Sequence, residues 1–260
     1  YRAREIPRLI LTKNLFGLEI DDRAAQLAAF ALMMKARADD RRIFEQHVQP
    51  NVRSFIETAG MDAEDIAAAL NVSDTKEVAP SGQLFETEDN LFTRAASTQA
   101  RKPYISLTDV QALVSLFEHA RTFGSLIQVP TALAARLSVI ETRCREVARQ
   151  TNDIASGTAA KFLPVIGQSH MLACGYDCVV TNPPYMGSKG MNLLLKKSIA
   201  STFPFAKSDL FAAFMVRLAS LVKPSGSLGL MTPFTWMFIK SYEDLRRWLL
   251  VDLGISSLIR

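Results

Sequence analysis

With 260 residues the chain can bury one large hydrophobic core or two modest ones. A hydrophobic content of 48% and a charged content of 22% are ordinary for a soluble globular protein; no apolar run reaches bilayer-spanning length and no signal-peptide pattern opens the chain, so membrane and secretory classes are set aside and a cytoplasmic location is expected. Three cysteines, an odd number, argue against a disulfide framework, and a net charge of +4 permits a nucleic-acid partner without requiring one.

The chain opens on Tyr1 rather than Met and is expected to be a piece of a longer protein. Residues 4–13 carry Ile6, Leu9 and Ile10 at helical spacing. Residues 15–20 read as a buried strand, and Asp22 is placed to cap a helix over about 23–37. Ala24, Leu27, Ala28, Phe30, Ala31, Leu32 and Met34 make that helix apolar over most of its circumference, which predicts packing on a sheet. An acid at the end of a strand that leads into a helix is where nucleotide-binding folds hold ribose hydroxyls. Glu19 and Asp21 are the candidates, with acids in a solvated turn as the plain alternative.

Residues 40–165 read as mostly helical and too long for an ordinary connection, so they are expected to be a helical insertion. The segment around Pro80-Ser81-Gly82 is turn-like in composition, and Ser106-Leu107-Thr108-Asp109 is a capping-box pattern opening a helix over about 106–121. A second helix is predicted over about 131–149. Its Arg143, Arg145 and Arg149 suit either a solvated helix face, the favoured reading, or contact with phosphates. His170, Cys174 and Cys178 recur every four residues, but Cys178 falls inside a predicted strand, so no metal site is assigned.

Cys178 to Thr181 is an apolar run of strand type that stops at Asn182-Pro183-Pro184-Tyr185, since two prolines cannot continue a ladder. This rigid elbow suits methyl transfer to an exocyclic amino group. The amino nitrogen of adenine is a poor nucleophile because its lone pair is delocalised into the ring. Two acceptors on its two N–H groups would free that lone pair and stabilise the positive charge that grows on nitrogen. The Asn182 side-chain oxygen and the Pro183 carbonyl can supply them, and Tyr185 can stack on the base. An ordinary turn is the competing reading of the four residues alone.

Gly187-Ser188-Lys189-Gly190 is a turn in which Gly187 and Lys189 can approach a phosphate or the target strand. Ser208 is placed to cap a helix over about 209–222, Pro224-Ser225-Gly226 to end it, and residues 227–232 to form a further buried strand broken by Pro233. A helix over about 242–250 and a strand over 254–259 are expected to close the chain. Strands alternating with helices indicate an α/β fold with a mostly parallel sheet, its active residues at the carboxyl ends of strands.

Asn182-Pro183-Pro184-Tyr185 resembles the catalytic motif of N6-adenine DNA methyltransferases that use S-adenosylmethionine. Together with Met186-Gly187-Ser188-Lys189-Gly190-Met191-Asn192, Lys207-Ser208-Asp209-Leu210-Phe211, Thr235-Trp236-Met237-Phe238 and Asp21-Asp22-Arg23-Ala24-Ala25-Gln26-Leu27-Ala28, it resembles the PglX family of BREX phage-defence methyltransferases. The resemblance implies a Rossmann-like methyltransferase core from residues 1–39 and 166–260. It also implies S-adenosyl-L-methionine as cofactor, double-stranded DNA with a flipped adenine as substrate, and other defence-system proteins as partners. It gives Glu19 the ribose, Ile20 the cofactor adenine, and Phe234 with Trp236 a place at the base pocket, core packing being favoured for Trp236. Phe123-Gly124-Ser125-Leu126-Ile127 takes the place of the third cofactor motif, with Ser125 standing where the family has an acid. The family's glycine-rich strand-loop has no counterpart between Tyr1 and Gly17, so the sheet is expected to be incomplete, lacking a central strand, and cofactor binding by this chain weak or absent. A fused restriction-modification enzyme, a protein-glutamine methyltransferase and a non-catalytic DNA-binding module remain the alternatives.

Overall fold

A computed structural model describes residues 2–72, 104–150 and 154–259. The turn-like segment around Pro80-Ser81-Gly82 lies outside them. Helical turns run from Ala3 to Asn14 and lead into strand β1, Phe16–Glu19. Helix α1, Asp22–Asp39, follows, and its cap is Asp21 rather than Asp22: the Asp21 carboxylate accepts from the amides of Arg23 (2.7 Å) and Ala24 (3.0 Å). Asp22 instead reaches sideways to Arg121 at 2.7 Å, and the Ser54 hydroxyl, then Arg121, hold its carboxyl below the usual value.

Strand β2, Asn51–Ser54, pairs in parallel with β1, Phe16 opposite Asn51 and Glu19 opposite Ser54. This strand lies inside the span read from sequence as a helical insertion, so part of residues 40–165 belongs to the sheet. Beyond β2 the chain is helical: α2, Ala63–Asn71; α3, Leu107–Phe117; α4, Leu137–Ala148; and α5, Ile154–Ala173. Ser106 caps α3, its hydroxyl accepting from the Asp109 amide at 3.1 Å. The predicted helix over 131–149 is broken into Thr131–Ala134 and α4. These helices enclose the larger core, in which Phe55, Leu70, Leu113, Phe117, Ile140, Phe162 and Ile166 are essentially inaccessible. Gln168 of α5 fastens that core to the sheet by exchanging two hydrogen bonds with the backbone of Ile56, at 2.9 and 3.0 Å. Arg143, read as solvated or phosphate-facing, is buried, because its guanidinium donates to the carbonyls of Leu70 and Val72 (both 2.6 Å) and pairs with Glu146. Arg145 pairs with Glu141.

Strand β3, Tyr176–Thr181, leads into the elbow; α6, Leu193–Thr202, and α7, Leu210–Ala219, form the crossover to β4, Val222–Leu230, which pairs in parallel with β3. The helix read over 209–222 is therefore shorter, and Pro224-Ser225-Gly226 is a bulge within β4 rather than a helix stop. Gly226 is required there: a Cβ would stand 2.7 Å from Val222 and 2.8 Å from the Asp177 carbonyl. The cap of α7 is Asp209 rather than Ser208. Helix α8, Glu243–Trp248, closes a second core around Leu195, Ile199, Phe211, Trp236 and Leu245. No strand forms over 254–259, where Leu258 and Ile259 lie exposed and nothing among the described residues offers a ladder.

Among the described residues the strands make two separate two-stranded parallel sheets, β1–β2 and β3–β4. The edges of β1 and β3 meet only through side chains, with the Phe16 and Tyr176 rings 5.7 Å apart. Both strands, expected to be buried, are half exposed: Val180 is 75% accessible and Phe16 45%. The apolar face of α1 is likewise bare at Leu27, Phe30 and Met34. No helix among the described residues is long and apolar enough to cross a membrane.

Candidate active site

The elbow begins where the β3–β4 ladder ends. The Met231 amide closes that ladder on the Thr181 carbonyl at 3.2 Å, and the next residue of β3's chain, Asn182, emerges exposed above buried Pro183. Tyr185, 54% accessible, folds back over the turn. Its phenol lies 3.1 Å from Asn182 Oδ1 and 3.2 Å from the Met231 carbonyl, and donates its single proton between them. This contact is absent from the sequence reading, which gave Tyr185 a stacking role alone. It orients the Asn182 amide with Oδ1 as an acceptor; a carbonyl oxygen has two lone pairs, so one stays available to a substrate N–H. The Pro183 carbonyl accepts no hydrogen bond from the described residues. Phe211 sets its ring edge against Tyr185, centroids 6.4 Å apart and planes at 88°.

Gly187 and Lys189 are exposed in a turn closed by the Gly190 amide on the Gly187 carbonyl at 2.9 Å. Phe234 is 64% accessible and stands edge-on to Phe238, whereas Trp236 is buried in the core and donates its ring N–H to Thr232 at 3.2 Å.

The predicted cofactor residues gather at the carboxyl end of β1. Glu19 Oε1 accepts from the amides of Ile20 (2.8 Å) and Asp21 (3.3 Å), which fixes its carboxylate at the strand end, and Oε2 makes no hydrogen bond among the described residues. Asp21 is committed to capping α1. Ile20 is half exposed and packs towards Gly124: a Cβ there would stand 3.2 Å from Ile20 Cγ2, and the backbone takes φ +52°. Ser125, on the next residue, lines the cleft between the strands with Phe16, Gly17 and Leu18 of β1 and Cys178 to Thr181 of β3. That cleft reaches Leu18, next to Glu19, and Thr181, next to Asn182. A strand-end carboxylate beside an exposed aliphatic face suits the ribose and adenine of a nucleoside cofactor. The cleft encloses only about 210 Å³, below the roughly 300–1,000 Å³ of small-molecule sites. A larger apolar groove, about 810 Å³, between the opening helical turns and α1 contains none of these residues.

Arg217 of α7 ties the two ends of the site together. Buried, it donates to the Ile127 carbonyl (2.8 and 3.1 Å), which follows the Ser125 turn, and to the Leu172 carbonyl of α5 (3.1 Å). Burial pulls its pKa down to about 10, still far enough above neutral that it stays charged. His170, one of the residues weighed for a metal, lies 3.1 Å from Glu141; the pair meets at a distance suited to an ion pair, although its geometry is poor for a hydrogen bond.

An exposed Asn-Pro-Pro-Tyr elbow at the end of β3, and an acid at the end of β1, are accompanied by sequence similarity over most of the chain. Residues 13–260 match the model of the Eco57I restriction-modification methylase. The chain belongs to that family. The chain is similar to the adenine-specific methyltransferase BrxX of Escherichia coli O9:H4 (strain HS), 42% identical over 250 residues, covering 96% of this chain and 20% of that protein. It is also similar to the adenine-specific methyltransferase PglX of Lacticaseibacillus casei (strain Zhang), 32% identical over 263 residues, covering 98% of this chain and 19% of that protein. The chain thus spans about a fifth of the length of the curated relatives it matches.

Proposed function

We propose that this chain is the methyl-transfer part of an adenine-N6 DNA methyltransferase acting in BREX-type phage defence. The observation that carries the reading is the Asn182–Tyr185 hydrogen bond on an exposed elbow, in a chain whose relatives are named adenine-specific methyltransferases. A target adenine flipped out of double-stranded DNA would give one N–H to Asn182 Oδ1 and the other to the Pro183 carbonyl. It would lie against the Tyr185 ring, with Phe234 bordering the mouth and Gly187 and Lys189 towards the strand backbone. No strong general base is needed, because the pair of acceptors would make the amino nitrogen nucleophilic while both protons are still in place. The N–C bond forms as the donor's S–C bond breaks, leaving a neutral thioether, and the acidic N-methyl ammonium then loses one proton to water.

S-adenosylmethionine, when bound, supplies an electrophilic methyl group. Glu19 would hold its ribose hydroxyls, Ile20 its adenine and Ser125 the adenine's polar edge. The core is read as a Rossmann-like sheet in which a glycine-rich strand-loop from elsewhere in the intact protein occupies the space between β1 and β3. Residues 40–165 are read as a helical elaboration from which β2 returns to the sheet. DNA and other defence proteins are the expected partners.

Methyl incorporation by the intact protein tests the reading. Wild type should place N6-methyladenine in double-stranded DNA, and Asn182→Ala should abolish most of it. DNA that gains no methyl group, or methyl groups found on protein glutamine instead, would overturn it.

A further inference from the structure

The segment Lys207-Ser208-Asp209-Leu210-Phe211 has no part in the chemistry above, yet it meets the elbow directly. The Leu210 amide donates to the Met186 carbonyl at 2.9 Å, the Ser188 amide donates to the Ser208 carbonyl at 3.2 Å, and Gly187 pairs with Asp209 in an antiparallel bridge. Asp209 Oδ1 accepts from the Met186 amide at 3.1 Å and, less closely, from the Phe211 amide at 3.3 Å. Two residues on, Phe211 supports the Tyr185 ring.

The proline pair fixes φ at residues 183 and 184 and nothing beyond them. From the proline side, the Tyr185 ring is placed by ψ of Pro184 and φ of Tyr185, which the proline rings leave free. Anchoring the peptide plane that joins Tyr185 to Met186 therefore holds the residue from its other side. The N–H of that plane is the one Asp209 holds. We propose that Asp209 is a positioning residue of the methyl-transfer site: its carboxylate sets the Tyr185–Met186 peptide plane, and so holds the Tyr185 ring against the base and its hydroxyl against Asn182. The proposal rests on reading residues 182–185 as that site. Capping α7 alone would use the bond to Phe211 and leave the bond to Met186 without consequence.

Three variants of the intact protein separate the two roles. Asp209→Asn keeps an oxygen acceptor in place and should stay within a few-fold of wild type. Asp209→Ser keeps a good helix cap on a side chain too short to hold Met186 as well. It should melt close to wild type and keep its affinity for S-adenosylmethionine, while kcat falls by on the order of tenfold or more through misplacement of the elbow. Because Asp209 acts through Tyr185, the double variant Asp209→Ser with Tyr185→Ala should be scarcely slower than Tyr185→Ala alone. Wild-type kcat in Asp209→Ser, an equal loss in Asp209→Asn, or additive losses in the double variant would each overturn the proposal while the function stands. A wild-type protein that transfers no methyl group would remove the reading beneath it, and the proposal with it.

Discussion

The two strand ends that carry the site are built to different standards of completeness. At the end of β3, the elbow is held from several sides by groups within this chain: Met231 and Asn182 by Tyr185, Met186 by Asp209, and the Tyr185 ring by Phe211 of the second core. At the end of β1, the Glu19 carboxylate is held, among the described residues, by the amides of its own turn alone, Ile20 stands half exposed, and α1 leaves Leu27, Phe30 and Met34 bare. The contrast fits the proposed chemistry. Presenting two oxygens to an amino group needs a few residues of rigid backbone, whereas enclosing a nucleoside with a methionine tail needs walls from several strands.

Measurements that treat the two ends separately test this difference. The largest effect is expected in cofactor titration. The 260-residue chain should give no measurable calorimetric heat with S-adenosylmethionine while the intact protein binds it; micromolar affinity in the chain alone would show that the β1 end is complete after all. Next comes thiol labelling. Cys144 is buried, with its pKa pushed up to about 12 by desolvation and then by Glu141, and should stay unreactive, whereas Cys174 and Cys178 are exposed and should react. If a strand fills the cleft in the intact protein, Cys178 should be labelled there a thousandfold or more slowly, roughly 4 kcal/mol of local protection. Equal rates in the two forms would leave the cleft open.

At the β3 end, Asn182→Ala should raise the methyl-transfer barrier by roughly 2.7–4 kcal/mol, by analogy with loss of one oxyanion-hole donor, read as kcat in single-turnover assays. Tyr185→Ala should lose about 1–3 kcal/mol of base stacking. Tyr185→Phe keeps the ring and removes only the hydroxyl that orients Asn182, so about 0.5–1.5 kcal/mol is expected. A Phe variant as slow as the Ala variant would move the role of Tyr185 from stacking to orientation.

The β3 elbow and the start of α3 were legible in the sequence because local rules govern them. Two adjacent prolines carry no amide N–H with which to continue the ladder, and Ser106 caps a helix by bonding the amide three residues on. The misreadings share a cause, which is that distant partners decided them. In β2, Asn51-Val52-Arg53-Ser54 has a single apolar residue and becomes a strand only by pairing with β1. Ser208 and Asp209 are equally good caps by type, and the choice falls to the one that can also reach Met186. Pro224-Ser225-Gly226 carries every mark of a helix stop, yet β3 draws it into a bulged strand. Arg143 lies in the core because two carbonyls of α2 and its exit wait there, which no helical periodicity encodes. The bare face of α1 and the exposure of β1 and β3 invert the expectation of burial, since apolar pattern states what a surface prefers and not whether a cover is present.

The guanidinium of Arg217 bonds the backbone after the Ser125 turn and the end of α5 to the helix that follows the elbow. Shifting the Ser125 side of the molecule against the elbow side would leave those carbonyls without their donors. The separation between the Ser125 turn and the elbow is therefore braced by one buried guanidinium, whichever parts of the surrounding molecule move.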